Sequence, residues 1–307
     1  MSTIYYRIGE GLGVGSMSDY MIVASGKIKG DIYYSSIGKI EFKGISGVKT
    51  QRVPMEVPLP PNAKPLKAFL EVTASCVEEP ATIRWRLRFD EFPLAREFKP
   101  VMKGWSEDFG YYSKVIYDIT PIMSWNKEKH EISITYEGST DLTVDNIALI
   151  IPYEVEDAET SYTYLSTTKI LTPGSHAMFE IPLEDVTDGE HGELKASWLV
   201  PSRNARVKIL LNGNEIFKIS NTCGFEDVMI DNIPLSNRNI LEIFHEPSQQ
   251  PYYPRSFRIS NIILNVTRYK SPKLEIKDVI VDNDIVKVKV FNNGDTKPDK
   301  ALSLIHI

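Results

Sequence analysis

Thr82-Ile83-Arg84-Trp85-Arg86-Leu87-Arg88-Phe89 decides the reading of the fold. Successive side chains of an extended chain point to opposite faces, so Ile83, Trp85, Leu87 and Phe89 share one side and Thr82, Arg84, Arg86 and Arg88 the other. Such a segment is a strand with one face in a core and one in water. Val286, Val288 and Val290 alternate with Lys287 and Lys289 in the same way, and Asn292-Asn293-Gly294-Asp295 supplies residues that tolerate a left-handed turn. Period-two alternation recurs from about residue 27 onward, and no window of a dozen residues keeps an apolar stripe at helical spacing. The chain reads as all-β.

Internal similarity divides it. Residues 53–156 laid against residues 177–270 give the same order of signals. Met55-Glu56-Val57-Pro58-Leu59 matches Phe179-Glu180-Ile181-Pro182-Leu183, and Leu66-Lys67-Ala68-Phe69-Leu70 matches Leu194-Lys195-Ala196-Ser197-Trp198. Residues 83–92 match residues 207–217, where Asn212-Gly213 marks a hairpin turn. Val115-Ile116-Tyr117-Asp118 then matches Val228-Met229-Ile230-Asp231, Glu131-Ile132-Ser133-Ile134 matches Ile240-Leu241-Glu242-Ile243, and Asp145-Asn146-Ile147 matches Ser260-Asn261-Ile262. Each copy offers seven or eight short strands over about 100 residues, as a sandwich of two antiparallel sheets requires. The expectation is two tandem antiparallel jelly-roll-like sandwiches and the first strands of an Ig-like sandwich. An amino-terminal arm takes residues 1–26, the first lobe 27–155, the second 156–271 and the opening of a third domain 272–307. About 34 residues are too few to close a sandwich alone, so that third domain is expected to continue past Ile307.

Composition narrows the function classes. With 42% hydrophobic and 25% charged residues and a formal net charge of -6, the chain is an ordinary globular protein without the basic field that holds nucleic acid. No apolar run reaches the roughly 18 residues that span a bilayer, and the first twenty residues lack the pattern of a secretory signal. Cys76 and Cys223 lie in different expected lobes, which argues against pairing them.

Leu274-Glu275-Ile276-Lys277-Asp278, the Val286 to Val290 alternation and the Asn292-Asn293-Gly294-Asp295 turn resemble the opening of a CARDB module, a cell-adhesion-related, Ig-like domain of prokaryotic surface proteins. The two lobes, each carrying an Asp-Ile or Asn-Ile segment before its last two strands, are similar to an uncharacterised tandem β-sandwich domain of archaeal surface proteins. The resemblance implies a cell-surface or extracellular location and brings no catalytic residues.

No motif for chemistry emerges. Gly9, Gly11, Gly13 and Gly15 alternate, yet no register gives a dinucleotide-binding G-x-G-x-x-G. The histidines at 130, 176, 191, 245 and 306 lack the short spacing that puts two ligands on one metal, so no metal or cofactor is expected. What remains is two insertions that the other copy lacks. The first, residues 103–112, carries Trp105, Tyr111 and Tyr112, and the second, residues 249–255, carries Tyr252, Tyr253 and Arg255. Loops on a rigid sandwich are where recognition concentrates, and aromatic rings beside polar groups suit sugar stacking or a protein interface. The alternative, favoured because loop aromatics usually pack, is that the rings fold over the sandwich ends. The sequence therefore points to a non-catalytic cell-surface structural or adhesive protein whose partner is a surface protein or a glycan. The runners-up are a pair of carbohydrate-binding modules and an accessory region of a larger secreted hydrolase.

Overall fold

The computed structural model of the chain describes residues 7–8, 20–44, 48–248, 252–270, 274–282 and 285–292. Strands dominate, and the one helical element among these residues is a 3-10 turn at Pro80–Thr82. Arg84–Phe89 has the expected faces, with Trp85, Leu87 and Phe89 buried and the three arginines exposed.

Two strands, β1 (Arg7–Ile8) and β2 (Tyr20–Ile28), come first. The first lobe then runs through β3 (Gly30–Phe42), β4 (Lys49–Glu56), β5 (Lys64–Pro65), β6 (Phe69–Cys76), β7 (Arg84–Phe89), β8 (Phe92–Glu97), β9 (Met102–Ser106), β10 (Gly110–Asp118), β11 (Lys129–Tyr136) and β12 (Leu142–Glu154). The second contains β13 (Ala158–Thr167), β14 (Ile170–Leu171), β15 (His176–Pro182), β16 (Glu190–Val200), β17 (Val207–Leu211), β18 (Asn214–Ile219), β19 (Gly224–Leu235), β20 (Arg238–His245) and β21 (Phe257–Tyr269). A hairpin of β22 (Leu274–Asp282) and β23 (Ile285–Asn292) follows.

Both lobes close in one topology. In the first, β3-β12-β6-β10 make one sheet, extended by β9, and β4-β11-β7-β8 the other; in the second, β13-β21-β16-β19 and β15-β20-β17-β18 repeat that order. Eight strands connected in this way are a jelly roll. Each lobe has its own core, around Phe42, Met55, Leu70 and Trp85 in the first and Phe179, Trp198, Ile209 and Phe257 in the second.

The six matched segments fall on corresponding strands, but they do not all share one register. With Asn146 and Asn261 equivalent, Thr73 lies opposite the first and Ser197 opposite the second. Leu70 to Ala74 therefore corresponds to Leu194 to Trp198, four residues later than the alignment of Leu66 to Leu70. Alternating strands match themselves at any even shift, and only the pairing removes the ambiguity.

The sheets containing β6 and β16 also turn their second faces toward each other, giving four layers with the two lobes joined along the middle. Ile32, Phe69 and Ile150 meet Val23, Tyr164 and Ile263 in a third apolar cluster, with the Phe69 and Tyr164 ring centroids 6.1 Å apart. Gly38 of β3 lies under Phe225 of β19, where a Cβ would fall 2.2 Å from the ring. Every residue of β6 is buried as a result.

The expected arm differs from what is found. Tyr20–Ile28 is a strand that pairs not with the first lobe but with β13 of the second, and the Tyr20 ring packs edge-on against Phe179 at 5.4 Å. Val23 and Ile28 are buried in the layer between the lobes, which gives this strand its reason to order. The alternating glycines at 9, 11, 13 and 15 lie outside the described residues, as does the turn beyond Asn292.

Candidate functional site

The described part of the second lobe-specific insertion, residues 252–255, meets the first. The first is the β9–β10 hairpin, whose turn depends on Gly110: its φ is +84°, and a Cβ there would lie 2.5 Å from the Cys76 carbonyl oxygen. The second leads into β21, which β14 also joins at Phe257 and Arg258. Together they bound a cleft of about 970 Å³ at the junction of the lobes, with Trp105, Glu107 and Asp108 on one side and Tyr252, Tyr253 and Arg255 on the other.

Of the six residues singled out in the sequence, four line this cleft and two do not. Trp105 is 60% and Tyr253 72% exposed, so both rings present a face to solvent, and Arg255 is exposed beside them. Tyr252 is half-buried and held by a relay. His245, buried and pushed by that burial below the usual imidazole pKa, donates from Nδ1 to the Leu171 carbonyl at 3.0 Å, which leaves Nε2 to accept from the Tyr252 hydroxyl at 2.8 Å. Tyr111 pairs across the hairpin with Trp105 but is half-buried against the first core. Tyr112 faces the other way and is fully buried, its hydroxyl 2.7 Å from Ser260 Oγ. No ligand can stack on it, which corrects the expectation for that residue; an alternating strand sends Tyr111 and Tyr112 to opposite faces, and the second lobe covers one of them.

Sequence reading missed what holds the cleft together. Asp108 Oδ2 accepts from the backbone amides of Arg255 and Ser256, each at 2.8 Å, and from Ser256 Oγ at 2.7 Å. The Tyr253 hydroxyl donates to the Asp108 carbonyl at 3.0 Å, and Ser106 Oγ lies 2.9 Å from Ser256 Oγ. Behind the cleft the Arg258 guanidinium sits 4.1 Å above the Phe109 ring and 3.3 Å from Asp145 Oδ1, while Ser75 hydrogen-bonds both Arg258 and Asp145. Burial raises the Asp145 pKa against the opposing pull of Arg258 and Ser75.

Deeper still, Glu71 and Lys114, both 0% exposed, pair at 3.0 Å between the lobes. Glu71 also accepts from Tyr164 at 2.6 Å, Ser166 at 2.7 Å and Asn261 at 3.0 Å, and Lys114 donates to the Ser260 carbonyl. The carboxylate is thus saturated by donors from both lobes, which suits a fastening. Among the described residues no three His, Cys, Asp or Glu side chains are grouped to hold a metal, and no helix is long and apolar enough to cross a membrane. Cys76 is buried and Cys223 exposed, and they are not bonded to each other.

No family model matches the chain, and no curated protein does. Solved structures with some likeness include latent PorU from Porphyromonas gingivalis, at 10% identity, a TM-score of 0.30, and coverage of 69% of this chain and 25% of that one. N-glycanase F is 11% identical over 77% of this chain and 98% of that one, at a TM-score of 0.29. The tandem CBM51 modules of a family 98 glycoside hydrolase from Streptococcus pneumoniae give 6%, 64%, 77% and 0.22 for the same quantities. The chain spans about a quarter of the length of PorU.

Proposed function

We propose that this chain is a non-catalytic binding body of a cell-surface or extracellular protein, and that the cleft between its lobes takes an oligosaccharide. One observation carries the reading: the insertions that distinguish the two copies converge on a single cleft and leave Trp105 on one lobe and Tyr253 on the other exposed to it. Neither ring is spent on a core. Flat aromatic faces stack on the C–H faces of sugar rings, and Arg255 and Glu107 supply donors and acceptors for hydroxyl groups. The cleft, at about 970 Å³, is at the upper end of small-ligand sites, and its rings come from both lobes, which suits a glycan of several units over a monosaccharide. The adhesive role and the CARDB-like reading of β22–β23 belong to this proposal, and the exposed apolar side chains of Ile276, Val279, Val288 and Val290 are consistent with a further sandwich built on them.

The test is a glycan-array screen of the intact chain, followed by the Trp105→Ala and Tyr253→Ala variants. Each should weaken any glycan retained by the parent at least about tenfold, as truncation of a central aromatic contact does. Each should cost under about 1 kcal/mol of stability, as exposed substitutions do. Failure of the parent to retain any glycan, or equal retention by the double variant, overturns the reading. A second reading, a rigid spacer, is favoured by the saturated Glu71–Lys114 layer, which fixes the lobes without reference to any ligand.

A further inference from the structure

We infer that Asp108 is the positioning residue of the cleft: by gripping the backbone of the opposite lobe, it sets where Tyr253 and Arg255 stand relative to Trp105. The inference rests on the binding reading above and adds to it the means by which a site split between two lobes keeps one shape.

Tyr252 packs against the second core, and beyond it the described second wall is open to water. Tyr253, Pro254 and Arg255 lie outside any strand and are exposed, and the chain becomes buried only at Ser256. Two bonds within that wall are visible, from Tyr252 to His245 and from Arg255 Nε to the Tyr252 carbonyl at 3.3 Å. Four further bonds reach across to the first lobe and end on one residue. Two consecutive amides, of Arg255 and Ser256, and the Ser256 hydroxyl converge on the same oxygen, Asp108 Oδ2, and the Tyr253 hydroxyl meets the Asp108 carbonyl. Adjacent amides pointing at one carboxylate oxygen form a concave anion seat, and bonds to an ionised acceptor are the stronger kind.

The first wall, by contrast, is stiff. Asp108 sits in the tight β9–β10 turn, its amide donating to Ser106 Oγ at 3.2 Å, and Gly110 pins the turn against Cys76. The carboxylate is therefore a fixed post and the second insertion the part it holds. Its neighbours support this division. The buried Ser106–Ser256 contact at 2.9 Å also keeps the two walls together, and Trp105 follows the first wall as a member of β9.

No group of Asp108 needs to touch a ligand for this role. A sugar bound between Trp105 and Tyr253 requires two rings at a set separation, and freeing one wall makes that separation variable, so ordering it is charged to binding. Asn in place of Asp keeps the shape but offers one neutral acceptor, and Ala removes the seat.

The experiment has two readouts. Amide hydrogen exchange of Arg255 and Ser256 needs no ligand: the parent should protect both amides, Asp108→Ala should raise their exchange at least about tenfold, and Asp108→Asn should fall between. Amides equally protected in Asp108→Ala overturn the inference whatever the chain binds. Affinity for a glycan identified on the array is the second readout. Asp108→Ala should weaken it about tenfold or more while leaving contacts of the ligand with Trp105 unchanged, and Asp108→Asn should recover part of the loss, a rescue that a residue of merely structural importance would not give. If exchange rises but affinity is unmoved, positioning is overturned. If exchange rises and the parent binds no glycan, it is the glycan reading that falls, and the grip of Asp108 stands by itself.

Discussion

Glu71 and Asp108 are both single carboxylates that bind one lobe to the other, but water reaches only one of them. Glu71 has no solvent within reach and must have every lone pair met by the protein, as it does through Lys114, Tyr164, Ser166 and Asn261. Burial lowers the Lys114 pKa and the Glu71 carboxylate works against that shift. Removing one partner should be far worse than never having had the pair. Glu71→Ala is expected to cost about 3 to 5 kcal/mol, because it leaves a buried ammonium unmatched, whereas Glu71→Leu combined with Lys114→Met should recover most of it. Urea titration of the three proteins measures this; a single variant as stable as the parent would contradict the assignment. None of it was legible in the chain as written. In Glu71, Thr73 and Ser75 alternating with Leu70, Val72 and Ala74, the polar residues carry the pattern of a solvated face. The same pattern arises when that face meets a second polar face, and periodicity reports only that the two sides of a strand differ.

At the scale of strands the sequence was more forthcoming, and β7 matches the alternation residue for residue. Order and topology were legible too, since six segments repeat in one sequence and the copies share one strand order. Strand β2 was not. Tyr20-Met21-Ile22-Val23-Ala24 is apolar without clean alternation and has no counterpart in the repeat, and its partner β13 lies some 130 residues away. The apolar residues it commits, Val23 and Ile28 above all, make a direct forecast. Deleting residues 1–28 should destabilise the chain by at least about 3 kcal/mol, since Val23 and Ile28 are buried and such side chains contribute about 1.5 to 3 kcal/mol each. The loss should fall on the second lobe, whose β13 becomes an unpaired edge, and hydrogen exchange along Ala158–Thr167 would register it. Unaltered stability of the truncated chain would mean that the strand is an accessory.

At the scale of the molecule, the question is whether two lobes of one topology behave as two proteins or one. Lobes joined by a linker alone would unfold separately, each with its own midpoint. Three features oppose that here. The apolar cluster of Ile32, Phe69, Ile150, Tyr164 and Ile263 belongs to neither core and is lost unless both inner sheets are intact. The Glu71–Lys114 pair takes its remaining donors and acceptor from the second lobe, so unfolding that lobe strands two charges in the first. Strand β2 is an edge of the second lobe supplied from ahead of the first, so the chain cannot separate the lobes without breaking a sheet. The penalty for unfolding one lobe alone is thus the sum of an exposed apolar face, an unsatisfied ion pair and a lost strand, which is comparable with the margin of about 5 to 15 kcal/mol that holds an ordinary domain. Calorimetry on residues 1–307 should accordingly give one transition with equal calorimetric and van't Hoff enthalpies, and residues 156–271 produced alone should fail to give a cooperative melt. Two resolved transitions, or a stable second lobe without β2 and the first, would show that the lobes are independent bodies and that the cleft between them is adjustable.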